Sequence, residues 1–427
     1  MPLTTPSSLL KALTQPVAIF GAGLSGQGAE ALLLMLGVPS VIYDQKGLEF
    51  TTMGATQHQL VVFSPGFPAD HPWLVDACAS GLECMGELDF AALFWRGRVI
   101  AITGTNGKTT LTEFITHALL HVCEPAHAMG NIGRPFTRLV ADTAGGSEAD
   151  IAICEVSSFQ AETIQRFRAE AVLWTNFGED HLDRHPNMES YFNAKWCLVT
   201  RTAENKVFAG TSVNRFAKKT NYQLPVAAWI DTEDQPADPQ LSQTVFAAYP
   251  QRENFLLAAA WWRHTGRDLG KLYEAAQTFR LGRHRMTRVT EIEGVTYWND
   301  SKATNFHAVE SALLGFDAPV HLIVGGKSKG GDVAAFVGRI APRVARLILI
   351  GQTRPILASA CDMHRVEYGV CDTLESAVQE AGFAAKPGEH VLLSPGFASF
   401  DMFRSYEDRG NQYEILVRKI VSIAKPA

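Results

Sequence analysis

Short apolar runs alternate with longer segments of helical pattern along most of the 427 residues. Several of these runs are closely followed by Gly, Ser, Asn or Asp and then by a helical pattern, which is typical of β-α-β units. Because such connections build mainly parallel sheets, the sequence predicts an α/β fold. The runs that we interpret as strands are residues 17–20, 99–102, 151–154, 171–175, 320–324, 347–350 and 390–393.

Length and composition set limits on what this fold can be. At roughly 150 residues per domain, the chain has room for about three domains. The formal net charge is −6, so there is no global electrostatic reason to bind DNA or an anionic membrane. No stretch approaches the roughly 20 apolar residues that cross a bilayer. The seven cysteines are scattered and odd in number, and the N-terminus does not resemble a signal peptide, which favours a reducing cytoplasm.

The first glycine-rich motif is FGAGLSG, with Gly21, Gly23 and Gly26 between a predicted strand and a predicted helix. Asp44 ends the next strand, VIYD. This arrangement is typical of a dinucleotide site in which the acid binds a ribose. A glycine turn that packs strand on helix without any ligand remains the alternative.

The second motif, GTNGKTT, covers residues 104–110 and directly follows the apolar run RVIAIT. We call residues 104–110 the phosphate-binding loop. Its backbone N–H groups can hold phosphates, Lys108 can reach the β and γ groups, and Thr109 or Thr110 can hold Mg²⁺. It departs from the common pattern because Ile102 stands where the first glycine is expected.

Two further residues extend this chemistry. Glu155 ends an apolar strand, where a carboxylate beside the loop is well placed for Mg²⁺, although a strand-end surface charge is an equal alternative. Lys195 lies in the helical segment MESYFNAKWCLV. From the residues alone, the favoured interpretation is a lysine whose stem lies on apolar surface while its charge reaches water.

Polar, glycine- or serine-rich loops follow several other predicted strands. Because the carboxyl ends of parallel strands share one edge of a sheet, those in the last third predict one crevice. The segments that carry such side chains are WTNFGEDHLDRH (174–185), GRHRM (282–286), YWNDSKATN (297–305), IVGGKSKGGD (323–332) and LLSPGFASFDMF (392–403).

These motifs, in this order and over nearly the whole chain, resemble those of the Mur ligases. The resemblance implies an α/β chain of three domains: an N-terminal Rossmann-like domain (1–90) for a UDP substrate, a central P-loop ATPase-like domain (91–281) for ATP, and a C-terminal Rossmann-like domain (282–427) for an amino acid. It replaces the dinucleotide interpretation of Gly21–Gly26 with uridine diphosphate.

The resemblance further implies an ATP-dependent amide ligase of peptidoglycan precursor synthesis. The expected reaction adds glutamate, with D-glutamate favoured, to UDP-N-acetylmuramoyl-L-alanine through an acyl phosphate. The implied cofactors are ATP, two Mg²⁺ ions and a carbamate that CO₂ forms on a lysine. The expected setting is the bacterial cytoplasm, as a monomer without nucleic-acid or membrane partners.

Individual positions match family motifs by role. Those matched to catalysis are Lys108, Glu155, His181, Lys195 and Lys302. Those matched to ATP are Gly104, Thr105, Asn106, Gly107, Lys108, Thr109, Thr110, Asn254, Arg285 and Asp300. Those matched to the UDP substrate are Gly23, Leu24, Ser25, Asp44, Lys46, Ser64, Gly66, Asn131 and His181. Those matched to glutamate are Thr304, Lys329, Ser399, Phe400 and Tyr406. Those matched to metal are Thr109, Glu155, His181 and, as a carbamate, Lys195.

Some positions depart from the family pattern. Glu253 stands where a histidine is frequent and Leu257 where a second asparagine is frequent, which leaves Asn254 alone on the adenine side. Phe400 and Tyr406 stand where Leu and Phe are frequent. Residues 206–250 are shortened and match poorly, and residues 231–250 are predicted to form a hairpin or loop.

Three alternatives remain open at this point. A Mur or folylpolyglutamate-type ligase with a different amino acid would share the phosphate-binding loop. An NAD-dependent dehydrogenase would use Gly21–Gly26 but leave the phosphate-binding loop without a role. A non-catalytic nucleotide-binding regulator would not need Lys195, Lys302 and Lys329 together.

Overall fold

A computed structural model describes residues 3–202, 206–223, 229–233 and 235–424. In these ranges helices alternate with strands, and the strands form three sheets of four, five and six strands. Each of the seven runs interpreted as a strand forms one, with bounds that differ by at most a few residues. The predicted α/β fold is therefore confirmed.

The first sheet is parallel throughout. Its strands are β1 (Val17–Phe20), β2 (Ser40–Tyr43), β3 (Leu60–Phe63) and β4 (Glu83–Gly86). The helices of this region are α1 (Leu24–Met35), α2 (Thr52–Ala55), α3 (Pro72–Ala79) and α4 (Glu87–Ala92). In the order β2-β1-β3-β4, the chain moves from β1 to β2 on one side, and then returns to add β3 and β4 on the other side of β1. The loops after β1 and β3 diverge at such a point and leave a crevice for a ligand.

The second sheet is also parallel. Its strands are β5 (Arg98–Thr103), β6 (Ala126–Gly130), β7 (Ile151–Glu155), β8 (Ala171–Trp174) and β9 (Val207–Ala209). The helices of this stretch are α5 (Lys108–His121), α6 (Phe136–Asp142), α7 (Ser158–Ala161), α8 (Met188–Val199), α9 (Thr211–Lys219), α10 (Gln251–His264) and α11 (Leu269–Thr278). In the order β6-β7-β5-β8-β9, strand β5 lies between β7 and β8. The loops after these three strands therefore meet at one edge.

The third sheet is mixed. Its strands are β10 (Thr287–Ile292), β11 (Val295–Asn299), β12 (Val320–Gly325), β13 (Val344–Ile350), β14 (Tyr368–Val370) and β15 (His390–Leu393). The helices are α12 (Phe306–Leu313), α13 (Val333–Ile340), α14 (Arg354–His364), α15 (Leu374–Ala384) and α16 (Tyr406–Ala424). The order is β10-β11-β15-β12-β13-β14, with only the β10–β11 pair antiparallel among the described strands. The run β14-β13-β12-β15 has Rossmann connectivity, and its direction reverses between β12 and β15.

Apolar side chains form a core on each face of the third sheet. One cluster includes Phe306, Phe336 and Leu357, and the other includes Leu374, Tyr413 and Val417. Burial on both faces is the reason that β12 is apolar except at His321, since such a strand has no side that faces water.

The segment of residues 206–250 contributes β9 and α9 to the second sheet region. The described part of residues 231–250 contains no strand and only a short 3-10 turn, Pro239–Leu241. Residues 224–228 and 234, which also belong to the poorly matching segment, lie outside the described residues.

Contacts divide the chain into two compact units. The first unit comprises Met1–Phe177, Glu189–Thr244 and Glu253–Phe279, and it holds the first two sheets. The second unit comprises Gly178–Met188, Val245–Arg252 and Arg280–Ala427, and it holds the third sheet. The division into three domains, with two boundaries near residues 90 and 282, stays a prediction. None of the described helices is both long enough and apolar enough to cross a bilayer.

Candidate active site

The phosphate-binding loop follows β5, as predicted, and opens α5 with Lys108. Residues just after β8 hold it in place. The backbone N–H of Thr105 donates to the Asn176 carbonyl at 3.0 Å, and that of Asn106 donates to Asn176 Oδ1 at 2.9 Å. Thr175 Oγ1 donates to the Asn106 carbonyl at 2.6 Å. The loop is thus pinned on both sides of Asn106 by the end of the neighbouring strand.

Two lysines converge on the main chain of this loop. Lys108 Nζ donates to the carbonyls of Gly104 at 2.9 Å and Thr105 at 2.8 Å. Lys195 Nζ also donates to the Gly104 carbonyl, at 3.0 Å, and lies 4.8 Å from the centre of the Tyr191 ring. Lys195 is 1% exposed. The interpretation of Lys195 as a lysine whose charge reaches water is therefore wrong, because its charged end lies in the interior beside the loop.

Glu155 ends β7 next to the same edge and is buried. Its Oε1 accepts a hydrogen bond from Asn131 Nδ2 at 3.0 Å, whereas its buried Oε2 has no hydrogen-bond partner among the described residues. A buried carboxylate oxygen without a donor is costly unless a cation or another polar group binds it. Because Glu155 is buried, its interpretation as a strand-end surface charge is wrong. A carboxylate oxygen in this position suits Mg²⁺.

The remaining residues matched to ATP divide between the two units. In the first, the amide of Asn254 lies against the loop, since a Cβ built on Gly107 would be 2.5 Å from Asn254 Oδ1. Thr109 follows Lys108 in the first turn of α5, and Thr110 is buried behind it. Arg285 and Asp300 belong to the second unit.

The crevice of the first sheet brings together most residues matched to the UDP substrate. Asp44 accepts backbone hydrogen bonds from Ala22 at 2.9 Å and Lys46 at 3.1 Å, and these bonds lower the pKa of its carboxyl. Gly26 lets α1 approach the turn, because a Cβ there would lie 1.9 Å from the Gly21 carbonyl oxygen. Ser64 follows β3 across the crevice. The predicted strand–turn–helix arrangement is confirmed.

A narrow cleft with a cavity volume of about 20 Å³ lies in the second unit, and we call it the Lys329 cleft. Thr304, Lys329 and His181, three residues matched to substrate, line it together with Asp180 and Asn305. Lys329 Nζ lies 3.7 Å from Asp180 Oδ1, and Asn305 Nδ2 donates to Asp180 Oδ2 at 2.9 Å. The cleft presents both an ammonium and a carboxylate, which suits a zwitterionic amino acid.

The other residues matched to glutamate do not line the Lys329 cleft. Lys302 Nζ lies over the Tyr406 ring at 3.8 Å from its centre. Ser399 is buried, and Phe400 is 70% exposed. In the second unit the structure therefore brings Thr304 and Lys329 together, and Lys302 with Tyr406.

Arg409 is a polar residue of this region that the sequence motifs do not single out. It is fully buried on α16, where its guanidinium donates to Ser301 Oγ at 3.0 Å, to the Ser301 carbonyl at 2.9 Å and to the Phe397 carbonyl at 3.3 Å. It thereby joins the loops after β11 and β15, which carry Lys302 and Ser399. The spacing of Arg409, Tyr413 and Val417 on one helical face was the available signal of its burial.

Asp300 is buried at the end of β11 and binds two neighbouring loops. Its carboxylate accepts from Ser394 Oγ at 2.9 Å and from the Met286 backbone N–H at 3.2 Å. Burial raises the pKa of Asp300 to about 7, against the lowering effect of these two bonds. Because the folded state holds this proton up to a higher pH than the unfolded state, the contribution of Asp300 to stability falls as pH rises from about 4 to 7.

We therefore expect the Asp300→Asn variant to lose part of this pH dependence. The melting temperature of the variant minus that of wild type should increase as pH rises from 5 to 8, because the variant has no carboxyl to ionise at this position. Calorimetry at pH 5, 6, 7 and 8 measures this difference. The exposed residue Asp317, changed to Asn, serves as the control and should follow wild type. Parallel curves for Asp300→Asn and wild type would contradict the prediction.

Among the described residues, no group of three or more His, Cys, Asp and Glu side chains is arranged to hold a metal. At the end of β7, Glu155 offers a buried carboxylate oxygen, Oε2, that has no hydrogen-bond partner in the part of the chain that the structure describes. Metal ligation by protein side chains would have to include donors of other kinds, such as the Thr109 hydroxyl.

Comparisons with known proteins fit this geometry. The family model described as Mur ligase middle domain matches residues 102–234, and that described as Mur ligase, glutamate ligase domain matches residues 284–397. The UDP-N-acetylmuramoylalanine–D-glutamate ligase of Desulfatibacillum aliphaticivorans is 34% identical over 383 residues, which cover 84% of this chain and 83% of that protein. The chain belongs to the Mur ligase family. The middle-domain match includes residues 206–234, so the first half of the segment expected to match poorly lies within the Mur ligase pattern.

Solved Mur ligase structures share the fold. The UDP-N-acetylmuramate–alanine ligase of Thermotoga maritima aligns with a TM-score of 0.60 at 14% identity, over 96% of this chain and 99% of that one. The MurF ligase of Thermotoga maritima in complex with ADP aligns with a TM-score of 0.56 at 14% identity, over 84% of this chain and 96% of that one. The three sheets of the chain are therefore those of a Mur ligase.

Proposed function

We propose that the protein is an ATP-dependent ligase that joins D-glutamate to UDP-N-acetylmuramoyl-L-alanine in peptidoglycan precursor synthesis. The observation that carries the proposal is the convergence of Lys108 and Lys195 on the main chain of the phosphate-binding loop, with Glu155 at the end of the adjacent strand β7. A relative that is named for this reaction and 34% identical over 84% of the chain supports the choice of substrates.

The reaction proceeds in two balanced steps. In the first, a carboxylate oxygen of the terminal L-alanine attacks the γ-phosphorus of ATP. The bond from that phosphorus to the β,γ-bridging oxygen breaks, and ADP leaves with an acyl phosphate formed. In the second, the amine of glutamate attacks the acyl carbon, loses a proton and expels inorganic phosphate as the amide forms. Neither step needs a covalent bond to the protein.

The residues of the chain supply charge and position for these steps. Lys108 and the N-terminus of α5 bind the phosphates of ATP, and their positive charge stabilises the negative charge that gathers on the transferred group. Lys302 is assigned to the phosphate group that is transferred. Lys329 and Thr304 bind glutamate in the Lys329 cleft, and Ser399, Phe400 and Tyr406 complete that assignment. The acyl phosphate must be kept from water, which requires a closed site.

Two Mg²⁺ ions are part of the proposal. Glu155 and Thr109 would hold the first, and His181 with a carbamate on Lys195 would hold the second. When bound, the ions neutralise the phosphate oxygens as Lewis acids. The carbamate would form after the ammonium of Lys195 loses one proton, when the neutral amine adds to the carbon of CO₂ and releases a second proton. A positive side chain would thereby become a negative oxygen ligand.

The uridine diphosphate group is assigned to the crevice of the first sheet. Gly23, Leu24 and Ser25 lie at the start of α1, where backbone N–H groups point toward an anion. Asp44, Lys46, Ser64 and Gly66 complete this assignment, whereas Asn131 and His181 are assigned to the muramoyl part of the substrate. We further propose three domains with boundaries near residues 90 and 282, and a cytoplasmic monomer without nucleic-acid or membrane partners.

Phosphate release tests the proposed function. The protein is incubated with ATP, Mg²⁺ and UDP-N-acetylmuramoyl-L-alanine, and D-glutamate, L-glutamate, L-lysine or meso-diaminopimelate is added in turn. We expect release with D-glutamate only, since a site built for one chiral amino acid leaves buried polar groups unpaired with others. Release only with L-lysine or meso-diaminopimelate would assign a different amino acid, and no release with any of the four would defeat the ligase proposal.

A further inference from the structure

Glu253 is a buried carboxylate on α10 that none of the steps above uses. It is 2% exposed. Its Oε1 accepts from Thr232 Oγ1 at 2.9 Å, and its Oε2 accepts from Asn176 Nδ2 at 3.0 Å. An ionisable side chain so deeply buried costs free energy, which its hydrogen bonds only partly offset.

Asn176 connects this carboxylate to the phosphate-binding loop. The side chain of Asn176 donates through Nδ2 to Glu253 and accepts through Oδ1 from the backbone N–H of Asn106. A carboxylate can only accept, so Glu253 fixes which end of the amide faces it. The acceptor end of Asn176 is thereby directed at the loop. Three residues form one line of contacts, from the interior to the main chain that binds phosphate.

We propose that Glu253 is a positioning residue that holds the phosphate-binding loop ready for nucleotide by fixing the amide orientation of Asn176. Glu253 itself touches only Asn176 and Thr232 in this chain of contacts, so it acts through Asn176. A loop that already has its binding conformation loses less conformational entropy when the nucleotide binds. The inference rests on the proposed function because it takes nucleotide as the ligand of the loop.

The neighbouring residue supports this role. Asn254 lies against Gly107, so the first turns of α10 contact the loop at two points, directly through Asn254 and indirectly through Glu253. Burial raises the pKa of Glu253 to about 7. Binding measured at pH 8.5 therefore reports on the ionised carboxylate, the form that accepts on both oxygens.

A double-mutant cycle on the full chain tests the inference. The proteins are wild type, Glu253→Ala, Asn176→Ala and the double variant, and the measurement is the Kd of ADP with Mg²⁺ by calorimetry at pH 8.5. We expect each single variant to bind about tenfold more weakly, as the loss of one supporting hydrogen-bond network allows. The double variant should bind no more weakly than Asn176→Ala, because both changes disable the same contact.

Two further variants separate positioning from general stability. Glu253→Gln keeps an acceptor for Asn176, and Thr232 can turn its hydroxyl proton toward Thr211 Oγ1 at 3.3 Å, so ADP binding should stay within about twofold of wild type. Thr232→Val removes the other bond to Glu253 and should also leave ADP binding within about twofold. In turnover, Glu253→Ala should raise KM for ATP and leave KM for glutamate unchanged.

The outcomes are distinguishable. Wild-type protein that binds no ADP would overturn the proposed function together with the inference. Wild-type protein that binds ADP, with Glu253→Ala or Asn176→Ala binding equally well, would overturn the inference alone. Additive losses in the double variant would also overturn it. Should Glu253→Ala not fold, a Glu253→Gln variant that binds ADP tenfold more weakly would contradict the role of the acceptor.

Discussion

The Lys195→Ala variant is expected to lose about 10²- to 10³-fold of its ligase activity, the usual effect of removing one charged group that stabilises a transition state. Lys195 is 1% exposed, and its Nζ donates to the Gly104 carbonyl at 3.0 Å. Acetate or formate at high concentration should restore part of the activity, since a small carboxylate can enter the space and act where the carbamate would. Initial rates of phosphate release measure both effects.

Matched lysine and arginine variants decide whether the carbamate or the positive charge matters. Lys271 is a surface lysine paired with Glu274 at 2.9 Å, and Lys271→Ala should keep wild-type activity and show no response to acetate. Lys195→Arg keeps a positive charge but cannot take up CO₂ as lysine does, and it should be as inactive as Lys195→Ala. Full activity in Lys195→Ala would contradict a role for the carbamate. Full activity in Lys195→Arg would show that Lys195 acts through its positive charge alone.

The Gly104→Ala variant is expected to lose most nucleotide binding and activity, with a fall of at least about tenfold in each. Gly104 has φ +143°, and a Cβ there would lie 1.9 Å from Thr175 Oγ1. An L side chain at this φ costs on the order of 1–3 kcal/mol before any clash is counted. The loop must therefore shift away from Thr175 and Asn176, which hold it. Kd for ADP and the rate of phosphate release measure the result.

A second glycine provides the control for this change. Gly47 has no contact closer than 3.9 Å for a built Cβ and an ordinary φ, so Gly47→Ala should bind ADP as wild type does. Adding Thr175→Ala to Gly104→Ala removes the atom in the way but not the backbone strain. We expect this double variant to recover only part of the binding. Wild-type affinity in Gly104→Ala itself would show that the loop tolerates the shift.

The fold was open to prediction because its signals are local. The run at residues 17–20 is apolar throughout, is followed by Gly21 and then by a helical pattern, and it forms β1 with those bounds. The helix over residues 188–199 has the predicted extent as well. Loops at the carboxyl ends of parallel strands share an edge, so the placement of Lys108 and Glu155 at one edge of a sheet was also predictable.

Burial and hydrogen-bond partners were not open to prediction in the same way. Nothing adjacent to Lys195 in sequence indicates that its charge faces inward, because this depends on the packing of α8 against the loop after β5. In the sequence, Glu253 is visible only as a departure from the family pattern. Its contact with Asn176 joins residues that are 77 positions apart. Arg409 binds Ser301, which lies 108 positions earlier in the chain. Such pairs arise only once the sheets are assembled.

The Gly104 carbonyl accepts from Lys108 and Lys195 at once, and this ties two chemical events together. A carbonyl oxygen has two lone pairs, so both are occupied, and the two ammonium groups repel each other across one atom. Any reaction that removes the charge of Lys195 therefore changes the energy of Lys108, the lysine that we assign to the nucleotide phosphates. Thermodynamic linkage makes the effect reciprocal. Under the proposed carbamate, the factor by which saturation with CO₂ alters nucleotide affinity must equal the factor by which nucleotide alters the affinity of Lys195 for CO₂.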